Sequence, residues 1–335
     1  MATYKEIKGT TVKVRSSSMP TTYPQAAGEL YYNSSNGQYE FLGPGTGAWS
    51  SGGNLNQVRG SNKGFGTQTA AISAGGAHEN PGATSSSEKT ESYNGTTWTE
   101  VNDLNVGRQA FGGLGTSTAG FCVSGYNHPT PGNLTNVESW NGTSWTETTD
   151  VNTARTSLRG CGTTTAALAI GGYNPGPKQI AITESWNGSA WSETGDMNTS
   201  RSGAGNALSS PSTDSIIFGG YTPSPPNTAN AETWNGSSWT ETGNLNAAKD
   251  NMGGSGDAST SALCFGGRTI ANTESWDGSS WTEVNDLSLA RGYVASGGSA
   301  TSAIVSGGEA PGSPYYKADT EEWTITHSIK TVTTS

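Results

Sequence analysis

One ten-residue motif occurs five times along this chain. It reads ESYNGTTWTE at 91–100, ESWNGTSWTE at 138–147, ESWNGSAWSE at 184–193, ETWNGSSWTE at 232–241 and ESWDGSSWTE at 274–283, with a shortened EEWTIT at 321–326. An Asp-Leu-Asn-like step recurs beside it, and its apolar residues Leu55, Leu104, Val151, Met197, Leu245 and Leu287 stand 49, 47, 46, 48 and 42 residues apart. Repeats of this length with paired glycines and a tryptophan hairpin are typical of β-propeller blades. The repeat therefore predicts an all-β chain.

Each repeat can be divided into four antiparallel strands, as residues 151–195 show. A small-residue stretch, TSLRGCGTTT, is followed by the apolar run 166–170, the pair Gly171-Gly172 and a loop rich in Pro and Gly. AITESW, the turn Asn187-Gly188 and SAWSET then complete the unit. Asn-Gly between strand-like flanks predicts a tight hairpin, because both residues tolerate a positive φ. The glycines of the first strand predict close approach of the innermost strands around an axis.

The two ends of the chain supply complementary pieces of one blade. The last repeat reaches Trp323 without a second Trp, whereas GAWSSGGNLN at 47–56 aligns with SSWTETGNLN at 237–246. We therefore expect residues 48–51, around Trp49, to add the fourth strand to the last blade, which removes two exposed sheet edges. This predicts a six-bladed β-propeller closed by N-terminal strands. A seventh blade is the alternative, if residues 28–42 and the tail SIKTVTTS pair independently.

The same alignment gives the organisation of the chain. Residues 1–27 are interpreted as an N-terminal arm or anchor and 28–335 as the propeller, in which 28–54 close the last blade. The blades are placed at approximately 55–101, 102–149, 150–195, 196–243, 244–285 and 286–335.

Composition excludes several classes of function. The formal net charge is −10 and no run of Lys or Arg occurs, so a nucleic-acid partner is not expected. No segment approaches the length of apolar residues that membrane insertion requires, and the polar N-terminus does not resemble a secretory signal. The three cysteines, Cys122, Cys161 and Cys264, fall in three different repeats and are interpreted as buried free thiols. Synthesis in a reducing host cytoplasm follows from this interpretation.

Paired glycines, an acidic residue before an aromatic strand, and a hairpin Trp resemble the kelch repeat over residues 47–326. The interval of five residues between Trp140 and Trp145 is shorter than in most kelch units. The opening MATYKEIKG and the stretches AAGELYYNSSNGQYEFL and GAWSSGGNLN are similar to kelch-like virion proteins of marine tailed phages.

This resemblance implies a structural protein of the virion, either a tail fibre or tail-associated adhesin or a decoration subunit of the particle. It implies other virion proteins as partners through the arm, within a homo- or hetero-oligomeric assembly, and a host surface glycan or protein as a further partner.

One set of loops carries most of the variation between repeats. These loops join the second and third strands and hold aromatic and basic residues among prolines. Such side chains on rigid loops favour binding. The candidate binding face comprises His78, Tyr126, His128, Tyr173, Tyr221, Arg268, Tyr315 and Tyr316. The alternative is that these loops only cover the blades.

Chemistry beyond binding is not expected from this sequence. His78 and His128 lack a cluster of further ligands, so no metal is predicted, and no cofactor is predicted either. A sialidase-like or other propeller glycosidase remains the enzymatic alternative, because SWDGSSW at 275–281 resembles an aspartate box. A glycosidase needs two positioned acidic groups, and the acidic residues here recur in register without a break in the repeat. A kelch-type cellular interaction adaptor is a further alternative. We predict that the protein is not an enzyme.

A basic residue precedes the first strand of every repeat. We expect these residues to form a structural ring of partly buried ion pairs with Glu91, Glu138, Glu184, Glu232 and Glu274, because an unpaired buried guanidinium is too costly to recur. The basic residues are Arg59, Arg108, Arg155, Arg201, Lys249 and Arg291.

Overall fold

The computed structural model describes residues 13–15, 30–78, 86–128, 132–176, 178–312 and 315–331. Over these residues the chain forms thirty β-strands and no helix. Within the same ranges there is accordingly no helix long and apolar enough to cross a membrane.

The strands follow the repeat in chain order. Three precede the first complete sheet: β1 (Lys13–Arg15), β2 (Leu30–Asn33) and β3 (Gln38–Ser51). Blade 1 contains β4 (Lys63–Thr67), β5 (Ala70–Ala74), β6 (Thr90–Tyr93) and β7 (Trp98–Val101). Blade 2 contains β8 (Gly112–Thr116), β9 (Ala119–Val123), β12 (Val137–Trp140) and β13 (Trp145–Thr148), with the small hairpin β10 (Tyr126–Asn127) and β11 (Gly132–Asn133) in its loop.

The remaining blades repeat this order. Blade 3 contains β14 (Arg159–Gly162), β15 (Ala167–Ile170), β18 (Thr183–Trp186) and β19 (Trp191–Glu193), with β16 (Tyr173–Asn174) and β17 (Lys178–Gln179) in its loop. Blade 4 contains β20 (Gly205–Asn206), β21 (Ser215–Phe218), β22 (Ala231–Trp234) and β23 (Trp239–Thr242), and blade 5 contains β24 (Gly253–Ala258), β25 (Ser261–Phe265), β26 (Thr273–Trp276) and β27 (Trp281–Val284). Blade 6 contributes β28 (Ala295–Gly298), β29 (Ser302–Ser306) and β30 (Thr320–Thr331).

Six sheets form the propeller predicted from the repeat. Blades 1 to 5 are four-stranded antiparallel sheets, and the sixth sheet has the order β1-β2-β3-β30-β29-β28. By contacts the chain divides into a larger unit, Ala48–Thr324, and a smaller one, Met1–Gly47 with Ile325–Ser335. The larger unit contains the six blades.

The N-terminal closure of the last blade is confirmed. Strand β3 lies beside β30, and the Gly52 N–H donates to the Thr320 carbonyl at 2.9 Å. Trp49 packs 5.4 Å from Trp323 between ring centroids, and its Nε1 donates to Thr273 Oγ1 of blade 5 at 3.0 Å. Trp98 Nε1 makes the equivalent bond to Thr320 of the preceding blade. Trp49 therefore occupies the position of a fourth-strand tryptophan.

Two backbone hydrogen-bond rings join the blades around the axis. In the first, one residue per blade has a positive φ and donates its N–H to the equivalent carbonyl of the preceding blade at 2.6–2.9 Å: Ser61, Ala110, Ser157, Gly203, Asn251 and Tyr293. In the second, the last glycine of each pair donates to the basic residue's carbonyl in the next blade: Gly76, Gly125, Gly172, Gly220, Gly267 and Gly308. Both rings close after six members, which excludes a seventh blade.

The core lies between neighbouring blades. Hairpin aromatics such as Trp140 and Trp145 are buried, with ring centroids 5.2 Å apart, and pack with the strands of an adjacent blade. Burying such large side chains at every interface supplies most of the hydrophobic stabilisation of this low-apolarity chain. The three cysteines are free and buried, as predicted.

Glycine in the innermost strands allows the close packing that the sequence predicts. A Cβ at Gly113 would stand 2.9 Å from the Gly64 carbonyl oxygen of the neighbouring inner strand. Blade 4 departs from this pattern, because its first strand is only Gly205–Asn206. Asn206 takes the glycine position there, and its amide donates to the Gly160 carbonyl at 3.0 Å.

The smaller unit contains paired strands. Strand β2 pairs antiparallel with β3 across the turn 34–37, and β1 pairs parallel with β2. Tyr32 and Tyr39 face each other with ring centroids 5.2 Å apart. Apart from Lys13–Arg15, the predicted arm 1–27 lies outside the described residues.

Candidate functional site

The loops between the second and third strands share one face of the propeller with the segments that precede the first strands. Short backbone bridges join the two sets in five blades: Gly60 with Ala77, Gln109 with Tyr126, Thr156 with Tyr173, Ser202 with Tyr221, and Gly292 with Glu309. In each of these five blades the loop then folds back and pairs with itself. We call this folded-back loop the cap of a blade, and the face that carries it the loop face.

The structure distributes the predicted binding residues over separate caps. Tyr126 and His128 form an edge-to-face pair in blade 2, with ring centroids 4.6 Å apart. His78 and Tyr173 are half-buried in blades 1 and 3. Tyr221 of blade 4 is exposed. None of these five residues lines the cleft described below.

Blade 5 lacks a cap. Every residue of 244–285 is described, and no bridge joins Asp250 to Arg268 at the position where the other five blades have one. The cause is visible in the sequence, because only residues 268–272 separate Gly267 from strand β26, too few to fold back. The short loop therefore leaves an opening on the loop face.

A cleft of about 520 Å³ occupies this opening, and we call it the blade-5 cleft. Arg268 and Tyr315, both from the predicted set, lie on it together. Its wall comprises Asn227 of blade 4, then Ala248, Lys249, Asp250, Arg268, Thr269 and Ile270 of blade 5, then Tyr293, Ala310, Pro311 and Tyr315 of blade 6. A volume of this size suits a small molecule or one or two sugar rings.

Arg268 gives the blade-5 cleft a free positive charge. Of the arginines whose side chains the structure describes, it is the sole exposed one, and it forms no ion pair within those residues. Its guanidinium carbon lies 5.9 Å from the centre of the Tyr293 ring, in a cation–π geometry. A guanidinium held against an aromatic ring presents its donors in a fixed fork, which suits carboxylate or vicinal hydroxyl groups.

Tyr315 is held by hydrogen bonding. Its hydroxyl donates to Glu309 Oε2 at 2.6 Å, while Ser61 Oγ donates to Oε1 of the same carboxylate at 3.0 Å. The hydrogen bond to Glu309 raises the pKa of Tyr315 well above its usual range. The hydroxyl therefore stays protonated at neutral pH. Tyr316 packs beside it, with ring centroids 5.3 Å apart.

Asp250 supplies an acidic group to the same wall. It is buried, and its carboxylate accepts a hydrogen bond from the Asn251 amide at 2.7 Å. Burial raises the pKa of Asp250, and the nearby Arg268 charge acts in the opposite direction. The equivalent residues of the other blades are Gly60, Gln109, Thr156, Ser202 and Gly292, none of which is acidic.

Tyr293 has the left-handed backbone that the inner hydrogen-bond ring requires in every blade. Tyr293 has a φ of +54° in the inner hydrogen-bond ring, where four other blades have Ser, Ala or Gly. A left-handed conformation is costly for a bulky side chain, and such strain is typical of functional sites. The strained backbone fixes the Tyr293 ring against Arg268.

The predicted ion-pair ring is present and more deeply buried than expected. Each basic residue contacts a strand-three glutamate in its own blade: Arg59 with Glu91 (2.6 Å), Arg108 with Glu138 (2.7 Å), Arg155 with Glu184, Arg201 with Glu232 (2.7 Å), Lys249 with Glu274 (2.9 Å) and Arg291 with Glu321 (3.0 Å). The guanidiniums also donate to backbone carbonyls, as Arg108 does to Asn136 at 2.7 Å. These cations are engaged inside the blades.

No group of three metal-ligating side chains occurs within the described ranges. His78 and His128 lie in different caps, and each is half-buried.

The comparisons with known proteins return nothing: no protein-family model and no curated protein matches the chain.

Sequence reasoning found two residues of the blade-5 cleft and missed Asp250 and Tyr293. The expectation that no acidic residue breaks the repeat is wrong at Asp250. Two signals were available: the shortest step, 42 residues from Leu245 to Leu287, and the replacement of the recurring Arg by Lys249. Both fall in blade 5, where the cap is missing.

Proposed function

We propose that this protein is a non-enzymatic binding propeller of a virus particle, and that the blade-5 cleft recognises a polar ligand, a host surface glycan or a protein segment. The observation that carries the binding role is the missing cap of blade 5. Side chains from three blades converge there, and several of them depart from the repeat.

The chemistry of the cleft supports recognition of a hydroxyl- or carboxylate-bearing ligand. Arg268 and Asp250 offer donors and acceptors, while Tyr293, Ile270 and Pro311 offer apolar contact. Rigid aromatic and arginine side chains contribute most of the energy at binding surfaces. A wall of fixed groups also loses little entropy on binding.

The virion role rests on the sequence resemblance alone. It implies either a tail fibre or tail-associated adhesin or a decoration subunit on the particle surface, with the N-terminal segment contacting other virion proteins. Immunogold electron microscopy of purified particles distinguishes these positions: label at the tail periphery supports an adhesin, and label over the capsid supports decoration.

Binding is tested with labelled purified protein on an array of bacterial surface polysaccharides and on intact bacteria. Arg268→Ala should weaken binding about 10- to 100-fold, as for an interface hot spot. Lys178→Ala is the matched control, because it removes an exposed cation from the loop of blade 3. Equal binding by the wild type and Arg268→Ala would place the ligand elsewhere.

A glycosidase is the second candidate, favoured by one observation. The blade-5 cleft combines Asp250, whose pKa burial raises, with the Tyr315–Glu309 hydrogen bond. An acid and a nucleophile at one sugar ring would need such an arrangement. Release of reducing sugar from array ligands by wild type, lost in Asp250→Asn, would favour hydrolysis.

A further inference from the structure

Two buried cations lie at the axis of the propeller, apart from the ion-pair ring. Two residues after the positive-φ residue of the inner hydrogen-bond ring, four blades have a small residue: Gly112, Gly205, Gly253 and Ala295. In blades 1 and 3 it is Lys63 and Arg159, each only 8% exposed. Long basic side chains at positions that otherwise hold Gly or Ala depart from the repeat.

Three equivalent carbonyls receive these cations. Arg159 Nε donates to the Ala204 carbonyl of blade 4, and Arg159 Nη2 donates to Met252 of blade 5 at 2.9 Å. Lys63 Nζ donates to Val294 of blade 6 at 3.5 Å. Each carbonyl belongs to the residue directly before an innermost strand, in three consecutive blades. The ammonium and the guanidinium therefore end on one set of equivalent carbonyls in three consecutive blades.

Neither cation forms an ion pair with a carboxylate within the described part of the chain. Glu309 acts on Lys63 electrostatically without an ion-pair contact, and its two oxygens accept hydrogen bonds from Ser61 and Tyr315. Burial, and then repulsion by Arg159, lower the pKa of Lys63 well below its usual range.

Hydrogen-bonded groups surround the axis at two levels. One end of the axis is encircled by the inner hydrogen-bond ring. Near the other end, Ser209 of blade 4 reaches the Gly298 carbonyl of blade 6 at 3.0 Å, and Leu208 is buried beside it. Carbonyl dipoles solvate part of each cation but carry no net charge, so a protonated Lys63 beside Arg159 is costly unless an anion binds with it.

We propose that Lys63 and Arg159 together form a binding site for a small, halide-sized anion at the propeller axis. The anion would accept from the Lys63 donors that Val294 does not use and from Arg159 Nη1, for which no hydrogen bond is recorded within the described residues. It would neutralise the pair and tie blades 1 and 3 together. The site is independent of the blade-5 cleft and of its ligand.

Bromide is the probe, because it substitutes for chloride and scatters anomalously. Crystals of the full chain soaked in bromide should show an anomalous peak between Lys63 Nζ and the Arg159 guanidinium. The same peak should be absent from Lys63→Met, a variant that fills the position with an uncharged chain of similar length. A wild-type crystal with an empty axis would overturn the proposal.

Thermal unfolding gives a second readout in solution. Gluconate serves as the reference anion, because it is too large for the site. At equal ionic strength, the wild type should melt about 3 °C higher in bromide than in gluconate. Lys63→Met should lose this difference, whereas Lys178→Met, with the same loss of charge at an exposed position, should keep it. Equal anion dependence in wild type and Lys63→Met would overturn the proposal.

Discussion

At the scale of single residues, the recurring glutamate accepts hydrogen bonds from other groups besides its arginine. Glu138 accepts from Arg108, from the Asn105 backbone and amide at 2.7 and 2.8 Å, and from the Val106 N–H at 3.1 Å. The carboxylate therefore joins the segment before the first strand to the third strand of the same blade. The same set of bonds recurs at Glu184 and Glu232, which explains why the ten-residue motif is so strictly repeated.

Removing this charge should leave a buried guanidinium without its counter-ion. We expect Glu138→Gln to lower the free energy of unfolding by about 3–5 kcal/mol. Glu147→Gln is the matched control, because Glu147 lies directly opposite Glu138 in the hairpin and is exposed. Its effect should stay within about 0.5 kcal/mol. Denaturant unfolding measures both, and equal losses in the two variants would contradict a structural role of the pair.

At the scale of elements, the part of strand β3 that closes the propeller joins the first part of the chain to the last. Residues 48–51 of β3 complete blade 6, and the Trp49 ring lies 4.9 Å from Phe265 of blade 5 between centroids. Without the Trp49 indole ring, blade 6 would have a cavity facing blade 5. Loss of packing there should weaken the closure rather than any single blade.

We expect Trp49→Ala to cost about 2–4 kcal/mol, slightly less than a fully buried tryptophan because Trp49 is half-buried. Trp98→Ala, its equivalent in blade 1, should cost at least as much. Tyr39→Ala removes an exposed aromatic ring from the same strand β3 and should be nearly neutral. If Trp49→Ala and the wild type unfold at the same midpoint concentration of denaturant, β3 does not stabilise the closed propeller.

At the scale of the whole molecule, the two hydrogen-bond rings couple all six blades. Each blade donates to the preceding blade through the inner ring and to the following blade through the glycine ring. An antiparallel sheet of four short strands has little core of its own, so the blades depend on these neighbours. Both rings are built from residues 59–308, which all follow strand β3.

Deletion of residues 1–27 should leave the melting temperature and the array binding of the propeller unchanged. The truncated protein should fail to enter virus particles, because the segment is proposed to contact other virion proteins. Western blots of particles assembled with truncated or full-length protein measure incorporation. Normal incorporation of the truncated chain would show that the contact lies elsewhere.

The sequence by itself determined the architecture, because the repeat writes the same strands and turns in every blade. It predicted six blades, the closing role of Trp49, the buried thiols and the cation of each ion pair. Such features depend on local patterns and on one alignment between the two ends. Glu321 as the sixth partner was missed, since EEWTIT has two candidate glutamates.

Only the tertiary structure decided which departures from the repeat come together in one site. Arg268 and Tyr315 lie 47 residues apart in sequence, and the missing cap is what places them on one cleft with Asp250 and Tyr293. Lys63 and Arg159 meet because inner strands of separate blades converge on one axis. A repeat fixes what each blade contains, but a site between blades depends on which side chains the closed ring brings together.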